Sequence, residues 1–358
     1  MEEKILKKTA VFIFVLSAAV CFAVPWFPHL RTAHENMIED YREYRTKTKA
    51  ERLNMTGLEL MKYNNEQAEG VSFESQIRME LPFGVAGSDL QIEEDLMLQT
   101  ADIRIPFAGE SYFYEYPVLG SADYIDSLTY EREKNYGIVK FAMDRVCEIR
   151  THYDKDYLYI DFLTPKELYD KVVVIDAGSG GNILGITKQG VCEKDINLDI
   201  LLKLKKIFED AKDGSVGVYY TRTADVNLDS ETRMKFSNLA DADLFVSICS
   251  NSTQSGRMSS INGTQAWYDG TDSEEGKKAK ELAQICLEEV TAAAGSSDKG
   301  VTALKESYLR NSRAPAAAVA VGFMTNQEEL DRLCSGEYQD RIAQGIYYAV
   351  LRALKKED

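Results

Sequence analysis

The chain has 358 residues, with 42 Lys and Arg against 58 Asp and Glu and 44% hydrophobic residues, enough for two domains with ordinary cores. That balance excludes both intrinsic disorder and a membrane bundle. The formal net charge of −16 has the wrong sign for a surface that neutralises phosphates, because counterion release needs clustered Lys and Arg, so no nucleic acid is expected as a partner. Only His29, His34 and His152 carry an imidazole, which restricts metal binding and proton transfer, since imidazole is the commonest metal ligand and the usual proton shuttle near neutral pH.

Lys4, Lys7 and Lys8 precede an almost unbroken apolar run from Thr9 to Phe27. The run reaches the roughly 17–25 residues of a spanning helix and exceeds the roughly 7–15 of a signal-peptide core. A transmembrane anchor over 9–28 is expected, with 1–8 cytoplasmic and the body extracytoplasmic, making a single-pass protein of the cell membrane. A signal sequence cut after Ala23 is the other reading. Residues 29–69 are charged, with Leu30, Met37, Tyr41 and Tyr44 at helical intervals, and predict a helical stalk. Outside the membrane Cys147, Cys192, Cys249, Cys286 and Cys334 meet conditions in which disulfides form. They are unequally spaced with no C-x-x-C pair, so they read as small buried hydrophobes.

Between 70 and 168 the pattern changes to short alternating runs at 73–81, 102–107, 112–118, 136–143 and 156–163, separated by Gly, Asp and Ser, which predict a small β-rich module. From 169 to 358 strands alternate with helices. Strands are expected at 171–176, 216–221, 244–249, 263–268 and 316–322, and helices at 197–208, 231–240, 273–292 and 338–354. This is an α/β domain with a mostly parallel sheet flanked by helices. The glycines after the first of these strands, Gly178, Gly180 and Gly181, follow neither the dinucleotide-binding nor the P-loop spacing.

An ordered series of residues runs through the domain. It comprises Asp176-Ala177-Gly178 with Gly180-Gly181, Glu193-Lys194-Asp195 with Asn197-Leu198, Thr221-Arg222 with Asp225 and Leu228, and Arg233 with Asn238. It continues through 243–248 with Asn251, Leu309-Arg310, Pro315, Gly322-Phe323 with Thr325-Asn326, and Ile342-Ala343 with Gly345-Ile346. In this it resembles the zinc-dependent N-acetylmuramoyl-L-alanine amidases of bacterial cell walls, the amidase type 3 family, and the resemblance implies that fold for 171–354. The β-rich module, by position and strand pattern alone, loosely resembles the targeting domains that precede many cell-wall amidases.

The resemblance also implies where the chemistry should lie, and there the chain departs from the family. The positions of the two zinc-binding histidines are Ser179 and Cys249, the zinc-binding Glu is kept as Glu193, and the catalytic Glu is Ala320. Hydrolytic zinc needs three protein ligands that leave an open position, and a carboxylate to move the water proton; Glu193 alone supplies neither set. The expectation is a pseudo-amidase without a catalytic residue or cofactor, which binds peptidoglycan or an envelope protein in cell-wall remodelling, division or sporulation. By resemblance Asn251, Arg310 and Asn326 fall at substrate-binding positions.

The competing reading is an active amidase, cleaving the amide between muramic acid and the L-Ala of the stem peptide with an altered zinc site built on Glu193 and Cys249. Glu193 also suits a helix N-terminus, where a carboxylate meets the positive end of the dipole. Arg222, Asp225 and Arg233 are read as structural charges, and Trp267 and Tyr268 as half-buried packing.

Overall fold

Thr56 starts helix α1 (Gly57–Gln67) with a capping box, its hydroxyl accepting from the Glu59 N–H and the Glu59 carboxylate accepting from the Thr56 N–H. The computed structural model describes residues 52, 54–68, 70–212, 214–304 and 308–355, and the chain divides into two units, 1–163 and 164–358. The expected cytoplasmic segment 1–8, the membrane anchor or signal sequence at 9–28 and the stalk as far as residue 51 lie outside the described residues. Among the described residues no helix is long and apolar enough to cross a membrane.

The first unit is built from two antiparallel sheets. Strands β1 (Ile77–Glu80), β4 (Val118–Gly120), β7 (Glu148–Tyr153) and β8 (Tyr157–Leu163) pair in the order β4-β1-β8-β7. Strands β2 (Gln91–Asp95), β3 (Thr100–Pro106), β5 (Ile125–Glu133) and β6 (Tyr136–Met143) pair in the order β2-β3-β6-β5. The two-residue period sends Ala101, Ile103 and Ile105 of β3 and Leu158, Ile160 and Phe162 of β8 into one shared core, where the Phe141 and Phe162 rings meet at 5.2 Å. Leu60 and Met61 of α1 join that core, so this end of the expected stalk packs as part of the module.

The expected strand over 112–118 is instead the helical turn α2 (Tyr112–Glu115) followed by β4. The reason is packing. The Tyr112 ring is buried, stacks on Tyr116 at 5.4 Å and on Tyr130 at 5.5 Å, and donates its hydroxyl to the Glu80 carbonyl. Residues four apart stack on a helical turn, whereas in a strand they stand about 13 Å apart.

After the turn α3 (Pro165–Leu168), the second unit has β9 (Lys171–Ala177) as the second strand of a six-stranded sheet, ordered β12-β9-β13-β16-β14-β15. Strands β9, β12 (Val216–Tyr220), β13 (Leu244–Asn251) and β16 (Ala316–Phe323) are parallel, while β14 (Thr264–Asp269) and β15 (Asp298–Leu304) run the other way. Four of the five pairings are parallel, as expected, and the antiparallel β14–β16 pairing makes the sheet mixed. Val173, Ile175, Val246, Ile248, Val319 and Val321 pack against α4 (Glu193–Ala211), α6 (Glu274–Ala294) and α8 (Gly336–Leu354). Alternation turns Asp176, Ser247 and Ala318 to the opposite face, which receives α5 (Ser230–Leu239) and the short 3₁₀ turn Tyr308–Asn311. At the carboxyl edge of the parallel strands lie the loops that follow them. One carries the two-residue hairpin β10 (Thr187–Lys188) and β11 (Val191–Cys192), and another leads into α7 (Gln327–Leu333). Open α/β sheets place their ligand sites at this edge.

Candidate functional site

Asp176, at the end of β9, is fully buried and its charge is matched in place. One carboxylate oxygen accepts from the Thr221 hydroxyl at 2.6 Å and pairs with the Arg233 guanidinium; the other accepts from the Ser247 hydroxyl at 2.6 Å. These bonds tie β9, the end of β12, α5 and β13 into one unit, as a buried charge requires.

The loop that leaves β9 is shaped by cations. Arg233 donates to the carbonyls of Ala177 (2.8 Å), Ser179 (2.7 Å) and Leu228 (3.1 Å). Arg222 donates to those of Ala177 (2.8 Å), Gly178 (3.2 Å), Ala224 (3.2 Å) and Lys194 (2.8 Å), and the Asn197 amide adds a 3.0 Å bond to Gly178. The two arginines are only 3% and 4% exposed, and burial together with the Arg233 charge lowers the Arg222 pKa. Both therefore hold backbone, as expected of structural charges. Asp225 bonds to Lys194 and to the Gly181 N–H rather than to Arg222.

Held this way, Ser179 adopts a left-handed backbone with φ of 63°, a conformation that costs a non-glycine residue about 1 kcal/mol or more. Gly185 passes directly over it: a Cβ there would lie 2.7 Å from Ser179 Oγ and 2.4 Å from Glu193 Oε2, and its φ is +67°. Ser179 and Glu193 thus share one small space beneath the loop.

Glu193 opens α4. Its Oε2 accepts from the Ile186 N–H at 2.8 Å and its Oε1 from the Ser250 N–H at 2.8 Å. Cys249 lies one residue before Ser250, and burial, with the charges of Glu193 and Asp176 beside it, holds its thiol well above the usual range. Ala320 pairs in register with Cys249 on one side and with Gln265 on the other.

The folded chain therefore assembles Ser179, Glu193, Cys249 and Ala320 at one end of the sheet. Three of those four are small side chains, and the carboxylate is already bonded to two backbone amides. Among the described residues no group of three or more His, Cys, Asp or Glu is placed to hold a metal ion, and this donor set does not fit a three-ligand zinc site.

The three substrate-binding candidates each have a partner within the fold. Asn251 donates to Gln265 Oε1 at 2.9 Å, and Gln265 donates onward to Thr302 at 3.0 Å. Arg310 reaches Asp269 at 3.4 Å, and Asn326 caps α7 by accepting from the Glu329 N–H at 3.1 Å. Trp267 and Tyr268 are half-buried in β14.

Two residues escaped the sequence reading. Tyr308 lies beside Ser247, Asp176, Cys249 and Arg233, and burial raises its pKa. Glu329 is 3% exposed and accepts from the Gly263 N–H at 2.8 Å and the Phe323 N–H at 2.6 Å. The place of Tyr308 beside Leu309-Arg310 was the one available hint; nothing local marks Glu329.

Comparisons with known proteins find relatives of the second unit. Residues 173–352 match the family profile described as N-acetylmuramoyl-L-alanine amidase. The protein YqiI of Bacillus subtilis is 31% identical over 176 residues, 49% of this chain and 81% of that protein. The N-acetylmuramoyl-L-alanine amidase LytC of the same organism is 30% identical over 177 residues, 49% of this chain and 34% of LytC. The crystal structure of an N-acetylmuramoyl-L-alanine amidase from Clostridium difficile 630 is 31% identical, with a TM-score of 0.48, over 52% of this chain and 98% of that one. With half its length matched by the profile and the scaffold residues of that fold in place around β9 and β13, the chain belongs to the N-acetylmuramoyl-L-alanine amidase family.

Proposed function

We propose that this chain is a non-hydrolytic family member that works in peptidoglycan remodelling at the cell envelope, holding stem peptides of the wall at the loop-lined edge of its second unit. In this reading it is anchored to the membrane through 9–28, faces the extracytoplasmic side and needs no zinc. One observation carries it. Ser179, Cys249 and Ala320, which the resemblance aligns with the family's metal and catalytic positions, lie around Glu193, and Glu193 is bonded to the Ile186 and Ser250 amides. Cleavage of an amide by water needs a polarised, deprotonated nucleophile and a group that moves its proton. Cys249 is held as the thiol, and Ala320 cannot transfer a proton.

The test uses the full chain and purified peptidoglycan, with zinc added. The expected result is co-sedimentation with cell walls above a control protein and no release of stem peptides. Stem-peptide release that depends on zinc and is lost in Glu193→Ala would establish the active amidase instead. Absence of wall binding, with a protein partner recovered by crosslinking, would replace the wall ligand with an envelope protein.

A further inference from the structure

We infer that Glu193 is a metal-independent clasp, a positioning residue that holds loop 178–192 on the edge of β13 and keeps the wall-binding edge formed without an ion. The inference rests on the non-hydrolytic reading and adds how the edge is held.

Three observations support it. First, the contact with the loop is reciprocal: the Ile186 N–H donates to Glu193 Oε2 at 2.8 Å, and the Glu193 N–H donates to the Ile186 carbonyl at 2.8 Å. The other carboxylate oxygen takes the Ser250 N–H of β13, so one side chain joins two segments 64 residues apart in sequence, Ile186 and Ser250. Hydrogen bonds to an ionised carboxylate are about twice as strong as neutral ones, and this carboxylate is only 7% exposed.

Second, the loop is built to close on that carboxylate. Position 185 favours glycine, since its φ is left-handed and a Cβ there would crowd Glu193 Oε2.

Third, the same device recurs where no metal position is implied. Glu329 of α7 joins the Gly263 N–H, at the end of loop 252–263, to the Phe323 N–H at the end of β16. Lys188, in the hairpin of the first loop, then donates to the Gly256 carbonyl of the second at 2.5 Å. Two carboxylate clasps and one lysine bridge thus fix both loops to the sheet and to each other. A bound ion would do the same work at Glu193 by drawing its ligands together; here backbone amides do so.

The experiment is amide hydrogen exchange on the full chain, read by mass spectrometry over 181–192 and 250–263, in chelator and in excess zinc. Wild type should show the same protection in both. Glu193→Ala should accelerate exchange in 181–192 about tenfold or more in both conditions, as expected for loss of charge-assisted bonds that hold a loop closed, and Glu329→Ala should do so in 250–263. Glu193→Gln, which keeps an acceptor for one amide, should fall between wild type and Glu193→Ala; it also serves if the alanine variant does not fold. Protection of 181–192 that is lost in chelator would make Glu193 a metal ligand. Unchanged exchange in folded Glu193→Ala would remove the clasp. Failure of wild type to bind cell walls would overturn the function proposed above and leave the exchange result standing.

Discussion

Cys249 and Ala320 lie opposite each other in register on the adjacent parallel strands β13 and β16, with Gln265 of β14 opposite Ala320 on its far side. Ala320 is fully buried, so its register position is packed sheet interior. Nearby, Tyr308 lies beside Ser247 of the same strand as Cys249. Restoring one residue at a time therefore has a structural cost.

Ala320→Glu should destabilise the second unit by about 1–3 kcal/mol, the usual penalty for inserting bulk into a filled interior, and should restore no hydrolysis. Urea unfolding checks this through the midpoint. An unchanged midpoint would show that room for the carboxylate is still present.

Arg233 and Asp176 form a buried pair, and Arg233 also holds three loop carbonyls. Arg233→Ala should cost about 3–5 kcal/mol because it leaves a buried carboxylate without its counter-charge. Adding Asp176→Ala should cost less than the sum of the two single changes, since the residues share one network. A double-mutant cycle in denaturant measures the coupling, and strict additivity would refute it.

The Cys249 thiol is raised by burial and by Glu193 and Asp176, so it should resist alkylation by iodoacetamide at pH 8, with the rate climbing only as pH rises further. The sign for stability follows. A group whose folded pKa is raised contributes stability that is fully present below its unfolded pKa and lost as pH rises through the folded one. Cys249→Ser should therefore flatten the alkaline limb of the stability profile. Mass-spectrometric labelling rates for Cys249 and for the more exposed Cys334 make the comparison, and equal rates would count against it.

Asp225 is lowered by its bond to Lys194 and by the Gly181 N–H. For such a carboxylate the contribution is present above the ordinary range near pH 4 and disappears as pH falls through the lower folded value. The difference in thermal midpoint between wild type and Asp225→Asn should accordingly shrink below about pH 4 and also at high salt, because the pair is exposed and screened. A difference that persists in acid would assign the effect to something other than this carboxylate.

The strands missed in the sequence reading share one property. β2, β5 and β7 are edge strands of their sheets in the first unit, and β15 is an edge strand in the second. An edge strand pairs on one side only and can carry mostly polar residues, as the exposed Glu93, Glu94 and Asp95 of β2 do, so the hydrophobic alternation that reveals central strands such as β3 and β8 is weak. The turn Tyr112–Glu115, expected as part of a strand over 112–118, differs for a related reason: aromatic residues favour strands on average, and only the stacking of Tyr112 on Tyr116 and Tyr130 decides for a helical turn.

At the candidate site the same division holds. Sequence alone determined the α/β order of the second unit and the family scaffold from Asp176 to Ile346, because each of these depends on residue identity and on periodicity along the chain. Tertiary structure decided what the remaining residues do. That Glu193 holds Ile186 and Ser250, that Glu329 holds Gly263 and Phe323, and that Arg222 and Arg233 grip the loop carbonyls could not be read from the chain, since each bond ends on a backbone group. Every residue but proline carries the same N–H and every residue the same C=O, so only the fold selects which of them a buried charge will meet.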